Sequence, residues 1–272
     1  MKLIISFFLF VSIVFFSGCA SKNITQDNIK KENKIDNISE NTGSDDFTEE
    51  DDFLDEFEEE MEIEEKSDPF SGYNRAMTSF NDGLYEYVLS PVAKGYKFVV
   101  HKEIRSSVGK FFHNILYPMR LVNNLLQGKI KNSGEETGRF LINTTIGIFG
   151  LFDPAKSYFG LEPHNEDFGQ TLGYYGVGAG PHIVLPFLGP SNLRDTFSLY
   201  PDSMANPIDY HPNRSYNLTN SYGESLWLKA YDKVNYVSLH DGKYEKLKKD
   251  AVDLYPFLRD VYEQYREQQI KE

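Results

Sequence analysis

Residues 2–20, KLIISFFLFVSIVFFSGCA, constrain this chain more than any other stretch: one lysine, a nearly unbroken apolar run from Leu3 to Phe16, then Ser17, Gly18 and Cys19. The run of about 14 residues is shorter than the roughly 20 that a bilayer-crossing helix needs. A short apolar core with small residues at its end reads as a secretory signal sequence, here residues 1–18. The residue at the expected cut is the only cysteine in the chain. The rest of the chain must therefore fold after export and without an internal disulfide, on packing alone.

Small-small-Cys after a signal core looks like the lipobox of a bacterial lipoprotein, although Phe16 stands where leucine is usual. Cys19 would then be the acylated N-terminus. Ala20, rather than an aspartate, comes next, which resembles the pattern sent on to the outer membrane. The protein is expected at a lipid surface.

The formal charge of −13 is unevenly spread. Residues 20–69 carry 19 acids and 5 bases, whereas residues 70–272 carry 22 of each. The first stretch, 19–67, has few large apolar residues and cannot bury enough surface to offset chain entropy. It is expected to be a disordered acidic tether, spanning about 40 Å as a random coil. The neutral remainder, 68–272, is expected to be one domain, and it lacks the basic excess that nucleic-acid binding requires. Lys243, Lys246, Lys248 and Lys249 read as the solvated face of a late helix. All 18 tyrosines and the sole Trp227 fall after residue 70, rings suited to a membrane–water interface or to an aromatic core.

From Tyr73 the apolar period is helical, with Met77, Phe80, Leu84, Tyr87 and Val88 on one face. Pro91 fits the first turn of a second helix. Further helices are expected near 104–115, 118–127, 133–147 (with Ser133 and Glu136 as a capping pair), after Ser191, and near 217–239 and 241–266. His182–Leu185 reads as extended, and the fold class is mainly α. Phe140 to Phe152, about 13 residues rising about 20 Å, is too short to cross a bilayer, as is Ile183 to Leu188. Either both segments are core or both dip into one leaflet.

Motifs for chemistry fail on context. Gly173, Gly176, Gly178 and Gly180 precede a proline rather than a helix, so they read as a turn ending a helix and not as a nucleotide loop. His164, Glu166 and Asp167 read as caps rather than metal ligands. Ser191 lacks the G-x-S-x-G elbow of a hydrolase and reads as an N-cap. No catalytic constellation and no cofactor or metal site is expected.

The same residues form a series. DPFSGYNRAMTSFND (68–82), NLLQGK (124–129), GRFLINTTIGIFGLFDPA (138–155), EDFGQTLGYYGVGAGPHIVLPFLGPSNLRD (166–195) and NPIDY (206–210) closely resemble the MlaA family, also called VacJ. The two C-terminal helices are similar only in character, and the long acidic tether departs from the short one expected of that family. The resemblance implies a ring of amphipathic helices embedded in one membrane leaflet around a central amphipathic channel. It further implies a non-enzymatic outer-membrane lipoprotein that sits beside a trimeric porin, removes mislocalised phospholipids from the outer leaflet and passes them to a soluble periplasmic lipid carrier.

A diacyl lipid with roughly 30 chain methylenes at about 0.8 kcal/mol each would cost on the order of 20 kcal/mol to expose to water, so apolar walls are needed. A headgroup needs a polar strip as well. Residues 170–181 are expected to line such a passage, with Tyr174 and Tyr175 near the headgroup and Gly176, Gly178 and Gly180 allowing close approach. Gly147 and Gly150, inside an apolar run, are expected either to gate it or to serve packing. The competing functions are a surface-anchored lipid hydrolase and a scaffold lipoprotein recruiting partners through its acidic tether.

Overall fold

The computed structural model describes residues 68–272. The expected signal peptide 1–18, the acylated Cys19 and the acidic tether 19–67 lie outside the described residues. Helix α1 (Ser71–Leu84) passes through a π-helical turn (Tyr85–Leu89) into α2 (Ser90–Val99). Then come α3 (Lys102–Ile115), α4 (Tyr117–Leu126), α5 (Ile130–Thr145), and the short α6 (Pro154–Phe159) and α7 (Phe168–Tyr174). A hairpin of β1 (His182–Leu185) and β2 (Gly189–Asn192) precedes α8 (Leu193–Ala205), α9 (Tyr222–Leu239), α10 (Lys243–Asp250) and α11 (Leu254–Lys271). The domain is mainly α, as the periodicity implies.

Local chemistry accounts for the boundaries. Pro91 cannot donate to the carbonyl four residues back, and its ring crowds that carbonyl. The π turn just before it absorbs the mismatch, so the two helices expected here are one continuous rod. The helix expected over 241–266 is instead α10 and α11, separated where Asp253 accepts from the Tyr255 amide to start a new helix with Pro256 in its first turn.

Two expected caps are elsewhere. Asn192, not Ser191, caps α8 by accepting from the Asp195 amide at 2.8 Å. Ser133 and Glu136 are interior to α5, which begins at Ile130; Ser133 donates back to the Lys129 carbonyl and Glu136 is fully buried.

The extended segment 182–185 has a partner that its own sequence does not announce, pairing antiparallel with His182 opposite Asn192 and Leu185 opposite Gly189. Two asparagines on α1, two turns apart, hold this hairpin through its backbone. Asn74 donates to the His182 carbonyl (3.0 Å) and accepts from the Val184 amide (2.9 Å). Asn81 donates to the Leu185 carbonyl (2.9 Å) and accepts from the Phe187 amide (2.8 Å). Each side-chain amide mimics a strand neighbour, which is why these two positions are asparagine.

Helix packing divides into two groups: α9 lies against α2 and α3, while α4 packs on α5, α7 on α8, and α11 on α7 and α1. The interior is mostly polar. Among the described residues only eight hydrophobic side chains are buried against thirty polar or charged ones, while thirty-five large hydrophobics are exposed. A water-soluble domain of this size is built the other way round. No helix of the described residues is long and apolar enough to cross a membrane.

Candidate functional site

The polar interior begins with a stripe along α4 and its C-cap: Arg120, Asn123, Asn124 and Gln127, at helical spacing and all buried. Each meets a partner on another element. Arg120 donates to Glu136 of α5 at 2.7 Å, and the other Glu136 oxygen accepts from the His164 amide at 2.7 Å. Gln127 and Lys129 both donate to Glu166, at 2.7 and 2.6 Å. Asn123 donates to Asp202 of α8 and accepts from Thr171 of α7. Arg139 and Asn143 of α5 converge on Asp153 at 2.7 and 2.8 Å, and Asn143 also accepts from the Ala155 amide.

A second cluster joins α7, α8 and α11. Arg266 donates to Asp167 (2.7 and 2.8 Å) and to Asp195 (3.0 Å), and Arg194 and Tyr262 also donate to Asp195, at 2.9 and 2.6 Å. Burial pushes the Asp195 carboxyl up, but the hydrogen bonds from Arg194 and Arg266 outweigh it and hold it at about 2. Asp202 lacks such a cation. Burial, reinforced by the nearby Asp167 charge, pushes it up to about 6 although the Phe168 amide donates to it. These groups sit on backbones that leave no slack: a Cβ on Gly169 would collide with Asp195, and one on Gly173 would lie 2.5 Å from Ile270.

The glycine-rich stretch 173–180 joins this framework. Helix α7 ends in a paired turn, with the Val177 amide donating to the Leu172 carbonyl and the Gly176 amide to Gly173, and Gly176 takes the left-handed conformation such a turn requires (φ 82°). The glycines end a helix, as expected. The segment then runs across the start of α8, whose first amides donate to the Ala179 and Pro181 carbonyls. Tyr174 and Tyr175 are half or more exposed and meet edge to face at 5.3 Å. The Tyr175 hydroxyl donates to the Leu126 carbonyl at 2.5 Å, tying the segment to the end of α4. Gly176 and Gly178 have open space around them, whereas a Cβ on Gly180 would press on Leu193.

Gly147 and Gly150 are packed. A Cβ on Gly147 would lie 2.5 Å from the Asn143 and Phe152 carbonyl oxygens, and one on Gly150 would lie 2.5 Å from the Asn114 side chain. Between them Ile148 and Phe149 adopt left-handed backbone, which costs such residues about 1–3 kcal/mol each. Neither apolar segment is wholly core: Ile146, Ile148, Phe149 and Phe152 of Phe140–Phe152 and Phe187 and Leu188 of Ile183–Leu188 are at least half exposed, whereas Val184 of the second segment is fully buried. Gly147 and Gly150 lie beside Asn143, whose carbonyl accepts from the Gly150 amide, while the glycine-rich segment meets the Arg194–Arg266 cluster through the Val177 carbonyl, which accepts from Arg194 at 3.3 Å.

Other candidate residues have structural roles. Asp167 caps α7 by accepting from the Gln170 amide, His164 pairs with Glu135, and Glu166 holds Lys129. Lys248 bridges Asp82 and Glu86 of the α1–α2 rod, so that residue is not simply part of a solvated face. Sequence reasoning missed the buried ion pairs. Their signal was present in the polar residues at helical spacing on α4 and again at Ser133, Glu136, Arg139 and Asn143 of α5.

Known proteins share this architecture. The profile of the family described as MlaA lipoprotein matches residues 66–269. An uncharacterized protein of Rickettsia prowazekii (strain Madrid E) is 35% identical over 207 residues, covering 75% of this chain and 78% of that one. The intermembrane phospholipid transport system lipoprotein MlaA of Escherichia coli (strain K12) is 38% identical over 135 residues, 48% of this chain and 53% of its own length. This chain thus spans about half of that relative. A solved structure described as the structural basis for maintenance of bacterial outer membrane lipid asymmetry superposes with a TM-score of 0.61 at 30% identity, covering 75% of this chain and 100% of the other. A polar-cored, apolar-surfaced helical domain, matched over nearly its whole described length, belongs to the MlaA lipoprotein family.

Proposed function

We propose that this chain is an outer-membrane lipoprotein, anchored through Cys19, that takes mislocalised phospholipids from the outer leaflet and passes them through its own channel to a soluble periplasmic carrier. In this reading the helices form a ring embedded in the inner leaflet of the outer membrane beside a trimeric porin. The protein breaks no bond; it lowers the barrier to moving an amphiphile.

The observation that carries this reading is the inverted distribution of side chains. Large apolar residues such as Phe98 (92% exposed), Trp227 (78%) and Phe197 (69%) cover the outside, while carboxylates and guanidinium groups pair inside. An exterior of this kind is stable against hydrocarbon and costly against water. The polar interior supplies what a headgroup needs, hydrogen-bonding groups away from the acyl chains. Membership of the MlaA lipoprotein family, the name of the E. coli relative and the subject of the similar solved structure all support the same substrate.

Within this reading, residues 170–181 form part of the lining. The exposed Tyr174 and Tyr175 offer rings to acyl chains and Tyr174 a hydroxyl to the headgroup, and the segment is held to α4 through the Tyr175 hydroxyl and to α8 through the Ala179 and Pro181 carbonyls. Photocrosslinkers at position 174 should capture phospholipid; a probe there that stays free while one at another interior position captures lipid would remove this segment from the path. The function is tested in Gram-negative cells lacking their own MlaA. Expression of this chain should lower the phospholipid exposed at the cell surface. Outer-membrane localisation without any such fall would contradict the proposal.

A further inference from the structure

We propose that loops 146–152 and 186–188 are lipid-inserted tips, built to hold Ile148, Phe149 and Phe187 among the acyl chains of a phospholipid monolayer. The proposal deepens the lipid-transport reading and rests on it. Among the described residues the non-glycines with left-handed backbone are Ile148 (φ 53°), Phe149 (φ 58°) and Phe187 (φ 67°). Such positions are normally glycine or asparagine, and a β-branched residue there is an outlier. All three are large and apolar, and they are 50%, 62% and 67% exposed. Glycine at any of them would relieve strain and remove apolar surface from water, so a fold surrounded by water has two reasons not to carry these residues.

The hydrogen bonding points to hydrocarbon as what covers them. Of the seven amides from Ile146 to Phe152, six donate within the segment or to the end of α5: Ile146 and Gly147 to Ile142, Phe149 to Thr144, Gly150 to Asn143, Leu151 to Ile148 and Phe152 to Gly147. Thr145 donates to the Leu141 carbonyl and Thr144 accepts from Asn114. An exposed loop in water has no need of such closure, because solvent satisfies its amides. A loop in acyl chains must satisfy them internally. No charged residue occurs between Phe140 and Phe152, so the tip has no polar rim with which to recognise a protein surface.

The second tip uses a different support for the same end. Asn81 of α1 satisfies the Leu185 carbonyl and the Phe187 amide, and the Phe187 ring meets Phe80 edge to face at 5.4 Å, with Leu188 exposed beside it. Both tips are stiff. The first is clamped at its base by Asn143, Asp153 and Arg139, and its two glycines leave no room for movement of the neighbouring chain. A pre-formed apolar wedge loses little conformational freedom on entering a monolayer.

The test uses the full-length acylated protein reconstituted in phosphatidylethanolamine–phosphatidylglycerol vesicles. In a Trp227→Phe background, Phe149→Trp or Phe187→Trp places a single fluorophore at one tip, and lipids brominated on the acyl chains are the quencher. At least twofold quenching is expected at each tip. Emission unchanged by the brominated lipid overturns the proposal for that tip, even if the same protein still co-purifies with phospholipid, which would leave the transport reading standing. Phe149→Gly and Phe187→Gly supply the second readout. Their melting temperatures in detergent are expected to be equal to the parent or about 2–4 °C higher, while surface phospholipid in complemented cells rises at least twofold. Glycine variants that transport like the parent would overturn the proposal.

Discussion

Between α3 and α9 the helices meet as they do in a water-soluble protein: Val108 and Phe112 pack with Ile208, and Leu228 and Tyr231 close over them. Between α4 and α5 they meet through the buried Arg120–Glu136 pair and the stacked rings of Tyr117 and Phe140 (4.3 Å), with an asparagine stripe alongside, while Leu125, Leu126, Ile130 and Leu141 are exposed. The first contact is non-directional and tolerates sliding. The second fixes register, because a buried carboxylate moved by an ångström loses its hydrogen bonds. The difference teaches what the polar half is suited to. It keeps one geometry without an apolar core, leaving its apolar side chains exposed, as the proposed lipid setting requires.

The largest expected effect tests that directly. Glu136→Ala leaves Arg120 buried without its carboxylate and the His164 amide without an acceptor, and should cost about 3–5 kcal/mol in denaturant titrations in detergent. Phe112→Ala, in the conventional half, should cost about 3–4 kcal/mol through the cavity it leaves. A Glu136→Ala loss below 1 kcal/mol would mean that the ion pairs are incidental to the packing.

A pH dependence sharpens the contrast further. With a folded pKa near 2, Asp195 contributes stability that is present above its unfolded value of about 4 and is lost as pH falls toward 2. Asp202 acts in the opposite sense. Its folded pKa near 6 means that the folded state holds the proton more tightly, so stability declines as pH rises from about 4 to 6 and is flat above. Asp202→Asn keeps an acceptor for the Phe168 amide and removes the charge. It should flatten that window and gain about 2 kcal/mol at pH 7, read from denaturation at pH 4.5 and 7. The smallest stability effect should come from the exterior: Trp227→Ser should stay within about 0.5 kcal/mol in detergent while weakening vesicle binding. A loss of several kcal/mol would make Trp227 part of a core.

Helical period was legible in the sequence and the direction of burial was not. Tyr73, Phe80, Tyr87 and Val88 do share a helical pattern, and all four are exposed, while Asn74 and Thr78 of the same rod are buried. A one-sided apolar stripe looks the same whether it faces a protein core or lipid. Ser133 and Glu136 show the cost of that ambiguity, since their spacing fits a helix start and their burial makes them interior. The turn at Gly176 was legible because left-handed backbone favours glycine; the left-handed Ile148, Phe149 and Phe187 were not, because such residues break that preference. The hairpin's second strand, Gly189–Asn192, was hidden by its Gly-Pro start.

The most direct test of the account is mass spectrometry of the lipids that stay with the protein after purification in mild detergent, with a timed incubation alongside. Intact diacyl phospholipid, close to one per chain and stable over the incubation, is the predicted result. Time-dependent release of lysolipid or free fatty acid would make the protein an enzyme and contradict it, as would a chain that carries no phospholipid at all.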